Sequence, residues 1–363
     1  MNEITLRRAV RDDIPVIQEF TRTTFPWGDY VHEVLDDWID DVGDLWVADT
    51  EGKAIGVTHV RYLSADIAWF EGIRVHPDYR KHGIGRLLTE ASIRGAREKG
   101  ASTAYAAIDM DNIASQSLAK SMGFVLREVL IELSKTSVLG VQEAIATNQR
   151  PSNIEFPMGH CISQNAPNDK SIIVYCTDGI ATLIHKASST DIEQIYAMGK
   201  DQVRFIGSDF TWRPLTKETL AIPIEGEMIF SGLENFDALE IRDPEKSPFL
   251  AVAFLGPPEI HVSRETPGKV EIQVSLGAIF GEEEGTKRIL RYLFERAMFL
   301  TPDGEKRFFA HTNRCNTVEI EMCIFLSHTQ KDLREFLVRQ GFTFQEEAQE
   351  AGGSIGIWEI TLN

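Results

Sequence analysis

One stretch constrains this chain more than any other: Ile67-Ala-Trp-Phe-Glu-Gly-Ile-Arg-Val-His-Pro-Asp-Tyr-Arg-Lys-His-Gly-Ile-Gly-Arg86. Ile67, Trp69, Ile73 and Val75 alternate as a half-buried strand does. Gly72 interrupts the alternation, and a glycine inside a strand marks a bulge or a close backbone approach. Pro77 turns the chain into a short basic loop. Ile84, Leu87, Leu88 and Ala91 then fall at i, i+3, i+4 and i+7, which predicts an amphipathic helix stopped by Lys99-Gly100.

The loop Arg80-Lys81-His82-Gly83-Ile84-Gly85-Arg86 has the chemistry of an anion site. Gly83 and Gly85 let a ligand approach the backbone, and the first turn of a helix presents unpaired N–H groups at the positive end of its dipole. Arg80, Lys81 and Arg86 add charge, so a pyrophosphate suits the place. Two other phosphate motifs fail. The dinucleotide fingerprint needs a glycine where Leu88 stands, and the nucleoside-triphosphate loop needs Gly-Lys-Ser/Thr where this chain has Gly85-Arg86-Leu87.

What remains, Arg-x-x-Gly-x-Gly between a strand and a helix, resembles the acetyl-CoA loop of the GNAT superfamily of N-acetyltransferases. Val75-His-Pro-Asp-Tyr-Arg80 resembles that superfamily's approach to the loop. Asp111-Asn112-Ile-Ala-Ser-Gln-Ser-Leu-Ala-Lys-Ser-Met-Gly123-Phe124 is similar to its second signature, an Asn after the fifth strand and a short helix closed by Gly-Phe. The resemblance covers roughly residues 3–135. It implies an α/β (α+β) fold with a mixed, mostly antiparallel central sheet flanked by helices. It also implies that acetyl-CoA is the co-substrate, with no metal. The cofactor contacts it implies are Ile73, Arg74 and Val75 on a splayed fourth strand, Arg80, Lys81, His82, Gly83, Ile84, Gly85 and Arg86 in the loop, and Asn112 and Ser115 at the second signature.

The chain is long enough for two domains at 363 residues, and its start predicts the following order. A strand over 4–9 leads to a helix opened by Asp12-Asp13-Ile14-Pro15. A second helix carries Val31, Val34, Leu35, Trp38 and Ile39 on one side. A hairpin turns at Glu51-Gly52-Lys53, the key strand and loop follow, and then a strand (102–109), a helix (113–122) and a strand (125–134). A polar, turn-rich connector spans 137–178 and holds one helix over 137–147. After it the pattern repeats. Ala181-Thr-Leu-Ile-His-Lys-Ala187 with Thr190-Asp191-Ile192 echoes Ile4-Thr-Leu-Arg-Arg-Ala9 with Asp12-Asp13-Ile14. Strands over 269–276 and 307–312, a helix over 285–299, and a helix over 332–340 closed by Gly341-Phe342 echo the rest. The expected division is a catalytic domain at 1–136, the connector at 137–178, and a second, degenerate GNAT-like domain at 179–363. In that second copy the loop counterpart is read as Leu276–Gly285. Its Glu282-Glu283-Glu284 would repel a pyrophosphate.

Acids outnumber bases, 55 against 37, for a formal net charge of −18. That argues against binding to nucleic acid or an anionic membrane. It suits a cationic amine, and equally suits solubility. No apolar run approaches the ~18 residues of a membrane span, and the first residues read as a strand start. Cys161, Cys176, Cys315 and Cys323 show no metal spacing. A cytoplasmic protein with reduced thiols is expected.

Acetyl transfer to an amine needs a base, an oxyanion donor and a leaving thiolate. Glu71, an acid in an otherwise apolar strand two residues before the splay, is the candidate base, in a setting expected to be apolar. The bland reading is an acid turned to solvent at a bulge. Asp66, Asp109 and Asp111 are weaker candidates. The superfamily's tyrosine acid would fall on Ala119, a position read as facing the sulfur, so the general acid is missing. His59 reads as a strand residue rather than a base. Because the segment between the first two strands lines the acceptor site in this superfamily, Phe25, Trp27 and Tyr30 are expected substrate contacts, with Glu33 and Asp37 beside them. The expected function is N-acetylation of a primary amine, carried on a small molecule or a peptide. The alternatives are an acyl-CoA-binding sensor without catalysis, or transfer of a longer acyl group. The second domain would shape the acceptor cleft or mediate assembly into a homodimer.

Overall fold

The structure is a computed structural model. It describes residues 3–22, 24, 29–140, 160–165, 171–177, 180–187, 189–208, 211–221, 228–233, 249–256, 259–262, 266, 268–296, 317–344 and 353–362. The chain divides into two compact units, Met1–Val129 with Ile355–Asn363, and Leu130–Ser354.

The first unit runs β1 (Thr5–Arg8), α1 (Ile14–Thr21), α2 (Val31–Asp40), β2 (Asp44–Thr50), β3 (Lys53–Tyr62), β4 (Ile67–Val75), α3 (Ile84–Glu98), β5 (Thr103–Asp109), α4 (Ile113–Ser121) and the start of β6 (Val125–Gly140). The second runs β7 (His160–Asn165), β8 (Ser171–Thr177), β9 (Ile180–Lys186), α5 (Ile192–Gly199), β10 (Phe205–Ser208), β11 (Thr211–Pro214), α6 (Lys217–Leu220), β12 (Met228–Leu233), β13 (Phe249–Leu255), β14 (Glu259–Val262), β15 (Lys269–Gly281), α7 (Glu283–Arg296), β16 (Thr317–Ser327), α8 (Lys331–Arg339) and β17 (Thr343–Phe344). The final strand, β18 (Ser354–Thr361), follows.

The two sheets share one plan. In the first unit the strand order is β1-β2-β3-β4-β5-β18, and in the second it is β9-β12-β13-β15-β16-β6 with β8 and β7 added beyond β9. Among the described pairings, only β4 with β5 and β15 with β16 are parallel. Each parallel pair encloses a helix, α3 or α7, as a parallel crossover requires. The short helices α4 and α8 end alike. Phe124 N–H donates to Ala119 O, and Phe342 N–H donates to Leu337 O, the capping pattern that seats the following apolar residue in the core.

Two expectations fail on long-range pairing. The strand that completes the first sheet is β18, from the far end of the chain, running antiparallel to β5 from Ile355↔Asp109 to Thr361↔Thr103. The expected boundary of 179–363 had put these residues in the second domain. Likewise β6 does not stop near residue 134. It continues to Gly140 because Thr317–Ser327 of β16 pairs with it throughout, so Ser137–Gly140 are strand where a helix over 137–147 was expected. Residues 141–159 and the expected strand over 307–312 lie outside the described residues.

In the first unit, Ile17, Val31, Leu35, Val47 and Val57 pack α1 and α2 on one face of the sheet. Ile84 and Leu88 of α3 meet Ala48 and Ile55 on the other. One buried carboxylate ties the strand ends to α3. Asp44, with 3% of its side chain exposed, accepts from Arg8 (2.5 Å) and Lys99 (2.8 Å), and from the Tyr62 hydroxyl at 2.7 Å. Burial alone would raise this carboxyl, but the donors from Arg8, Lys99 and Tyr62 outweigh it and hold it low. A carboxyl lowered in the folded state stabilises above its unfolded value, near 3.9, and that contribution disappears as pH falls through the folded value. The stability gap between the native chain and Asp44→Asn in urea should therefore be wide at neutral pH and narrow steadily below about pH 4. A gap constant with pH would contradict the assignment.

Candidate active site

The site begins where β4 leaves β5. The two strands pair in parallel only from Ile67↔Thr103 to Trp69↔Tyr105. From Phe70 to Val75, β4 keeps β3 on one side and turns its other edge into an opening. The divergence has a local cause. The β3–β4 register shifts between Val57↔Arg74 and His59↔Glu71, so β4 holds one extra residue at Gly72, which has φ 65°. A Cβ at Gly72 would overlap the Trp38 ring. Glycine therefore serves two needs here, a left-handed backbone and a seat for Trp38.

The basic loop lies at the end of the same strand. After a turn at Pro77–Tyr79, Arg80 Nε donates to Val75 O at 3.2 Å, which ties the loop back to the strand. Lys81 (φ 64°) and Gly83 (φ 79°) are left-handed, and Gly83 is the residue before the first turn of α3. The first helical bond in that turn is Leu87 N–H to Gly83 O, leaving the preceding amides pointing outward. A Cβ on Gly83 would meet nothing within 4 Å, whereas one on Gly85 would come 3.3 Å from Leu118. Gly83 thus faces open space and Gly85 faces α4. Arg80, Lys81, His82 and Arg86 are exposed, Arg86 pairing with Glu90 at 3.0 Å, while Ile84 is core. Open amides at a positive helix end among basic side chains can accept a phosphate-bearing anion.

Ile73 and Val75 pack partly against the Ile84 cluster, and Arg74 has a different task. Its guanidinium forms a two-pronged bond with Asp29, Nε to Oδ2 at 2.6 Å and Nη2 to Oδ1 at 2.9 Å, and also lies 5.6 Å over the Tyr30 ring. At the second signature, Asn112 Oδ1 accepts from Ser115 N–H at 3.1 Å, so these two residues cap α4. Ala119 is not in the opening. It is 6% exposed in a core cluster with Phe70, Phe124 and Trp358, which corrects the reading that placed it before the sulfur. Tyr105, on β5, is tied to Glu359, and burial first, then this acid, raises its hydroxyl.

Glu71 sits on the edge of the bulge with 12% of its side chain exposed. The apolar setting expected for it is absent. His59 Nδ1 stands 2.8 Å from Oε1, and Arg61 Nε stands 3.3 Å from the same oxygen. Trp38 stacks on His59, ring centroids 4.5 Å apart, and meets Tyr30 edge-on at 6.1 Å. Desolvation, then the charge of Glu71, push the Tyr30 hydroxyl up to about 12. Tyr30 and Glu71 thus share one locality, with Arg74, Asp29 and Arg61 as its other charges. Burial, then Asp111, raise Asp109 at the end of β5, and Arg74 opposes them. Asp66 lies at the opposite end of β4. Glu33 and Asp37 are exposed on α2. Phe25 and Trp27 lie outside the described residues. Sequence reading missed the roles of Asp29, Arg61 and Trp38, and the partnership of His59. The one available signal was the hairpin register, which sets His59 opposite Glu71.

The second unit repeats this scaffold without its chemistry. β15 and β16 pair to Leu276↔Ile324 and then part. The β13–β15 register shifts at the corresponding place, between Phe254↔Ala278 and Leu255↔Leu276, so Leu276-Gly277 stand where Glu71-Gly72 stand in the first unit. Here the opening is closed by its own side chains. Trp212 Nε1 donates to Gly277 O at 3.2 Å, Gln330 Nε2 donates to Ile279 O at 2.6 Å, and Gly281 N–H donates to Gln202 Oε1 at 3.0 Å. The loop is missing as well. Leu276–Gly281, expected to be loop, continue β15, and Glu282 alone separates that strand from α7, where residues 76–83 separate β4 from α3. Among the described residues, no group of His, Cys, Asp and Glu is placed to hold a metal ion, and no helix is long and apolar enough to cross a membrane.

The two mixed sheets, each opened at its parallel pair and one followed by a basic helix-start loop, share their fold with a solved GCN5-related N-acetyltransferase. Residues 14–124 match the family model described as Acetyltransferase (GNAT) family. An uncharacterised N-acetyltransferase of Chlorobaculum tepidum is 26% identical over 100 residues, which span 28% of this chain and 64% of that protein. A GCN5-related N-acetyltransferase of Sphaerobacter thermophilus has the same fold over 99% of this chain and 96% of its own, with TM-score 0.50 and 15% identity. The ribosomal-protein-S18-alanine N-acetyltransferase of Escherichia coli aligns with 35% of this chain and 81% of its own, with TM-score 0.32 and 23% identity.

Proposed function

We propose that the first unit binds acetyl-CoA and moves its acetyl group to a primary amine by direct attack. The observation that carries the reading is the coincidence at one end of β4 of three things: a strand that has parted from its parallel neighbour, the Gly83 helix start with its basic loop, and a carboxylate. The loop would hold the pyrophosphate, and Ile73–Val75, where β4 has parted from β5, would hold the amide-bearing arm. The thioester would then lie within reach of Glu71. Glu71, directly or through water, takes a proton from the ammonium. The amine nitrogen bonds to the carbonyl carbon, the C–S bond breaks, the sulfur leaves with the bonding pair, and the nitrogen gives up its second proton to water or to the departing thiolate. A thiol of ordinary pKa, about 8–9, leaves as thiolate without a dedicated acid, so Ala119 is compatible with turnover. Tyr30, half exposed beside Glu71, supplies an aromatic surface suited to a protonated amine.

The buried Ala119, with no hydroxyl at the family's acid position, favours the second reading, an acyl-CoA sensor. A panel of small and peptide amines incubated with acetyl-CoA and a thiol reagent separates the two. Amine-dependent thiol release with matching acetyl-amine mass is the expected outcome. Tight binding of acetyl-CoA with no thiol released by any amine would support the sensor.

A further inference from the structure

His59 is wholly buried in the middle of β3, yet it is stacked almost parallel to Trp38, at 12°, and joined to the candidate base. Nδ1 faces Glu71 Oε1 at 2.8 Å. Nε2 is buried without a hydrogen-bond partner, and Asp41 Oδ2 at the end of α2 stands off at 3.6 Å. A buried imidazole with one nitrogen unspent is an expense in a strand, and an apolar residue would fill the place more simply. Three charged groups face it or its partner: Asp41 from α2, Arg61 on β3, and Glu71 on β4. Tyr30 is coupled to Glu71 from the segment before α2. His59 and Arg61 both engage Oε1, so Glu71 Oε2 is the oxygen with no protein partner among the described residues.

We propose that His59 is a positioning residue for Glu71. Its Nδ1–H, with Arg61 beside it, holds Oε1 and fixes the carboxylate so that Oε2 is presented to the acceptor ammonium. Trp38 holds the ring in its plane, and the Gly72 bulge makes room for Trp38. The bulge that opens the strand thus also orients the base. This inference rests on Glu71 being the base.

The test compares His59→Asn, whose amide N–H replaces the Nδ1 donor, with His59→Gln, whose amide reaches instead to the Nε2 position. The Asn variant should keep kcat within about threefold, and the Gln variant should lose roughly tenfold to a hundredfold, the scale of a misplaced catalytic group. KM for acetyl-CoA should hold in both. The acid limb of the kcat profile should move to higher pH in the Gln variant alone, because a carboxylate that loses a donor keeps its proton more readily. Equal kcat and equal acid limbs in two folded variants would overturn the proposal. Glu71→Gln measured alongside separates the failures. If Glu71→Gln is inactive while the His59 pair behaves alike, only the positioning role falls. If Glu71→Gln retains native turnover, the base and its positioning fall together.

Discussion

Replacing Glu71 by Gln should lower turnover about 10²–10⁴-fold, the usual worth of general-base catalysis, and leave KM for acetyl-CoA nearly unchanged. Gln preserves shape and can still meet His59 and Arg61, so the core beneath Trp38 should survive. What it lacks is an oxygen that can carry a proton away from the ammonium. The acid limb of the rate profile should vanish with it, because no group in the variant then needs to be ionised for attack. Steady-state kinetics across pH with the best amine of the panel make the measurement. Native turnover would shift attention to Asp109, whose raised carboxyl lies at the same end of the sheet.

The second large effect is on the fold itself. Gly72→Ala puts a side chain on a left-handed residue, which costs about 1–2 kcal/mol, and drives its Cβ into the Trp38 ring, which adds about 1–3 kcal/mol of overpacking. Gly52 is the control. It is also left-handed, φ 81°, but a Cβ there meets nothing within 4 Å. Urea unfolding of the first unit should show Gly72→Ala destabilised by the sum and Gly52→Ala by the strain alone. Turnover should fall in the first variant only, since Trp38 carries His59 and Tyr30 with it. Equal losses in the two variants would mean that Trp38 is free to move and that the bulge is not its seat.

The local elements were legible because their signals are local. Period-two alternation marked β4, the i, i+3, i+4 pattern marked α3, and Gly83 marked the start of that helix. The echo of Ile4–Ile14 in Ala181–Ile192 marked the repeat, and the two sheets follow one strand order. What stayed hidden depends on partners far away in sequence. Ser354–Thr361 has the composition of a strand, but nothing in it says that it will pair with β5 rather than within its own half. Ser137–Gly140 are extended only because β16 extends them. Glu71 was singled out for its chemistry, and its surroundings were misjudged, since His59 and Arg61 come from the neighbouring strand in a register that the bulge shifts by one residue. Ala119 was placed by analogy with a family position, whereas its neighbours Phe70, Phe124 and Trp358 make it core.

In the second unit Leu276 stands where the first has Glu71, Trp212, Gln330 and Gln202 fill the gap, and Glu282 alone separates strand from helix, so a single donor site per chain, at the first unit's loop, is proposed. Calorimetric titration of the full chain with acetyl-CoA tests this most directly. It should give a stoichiometry near one, abolished or greatly weakened by Gly83→Val, whose side chain would stand in the open approach to the α3 amides. A stoichiometry near two, or a Gly83→Val chain that binds acetyl-CoA as the native chain does, would contradict it.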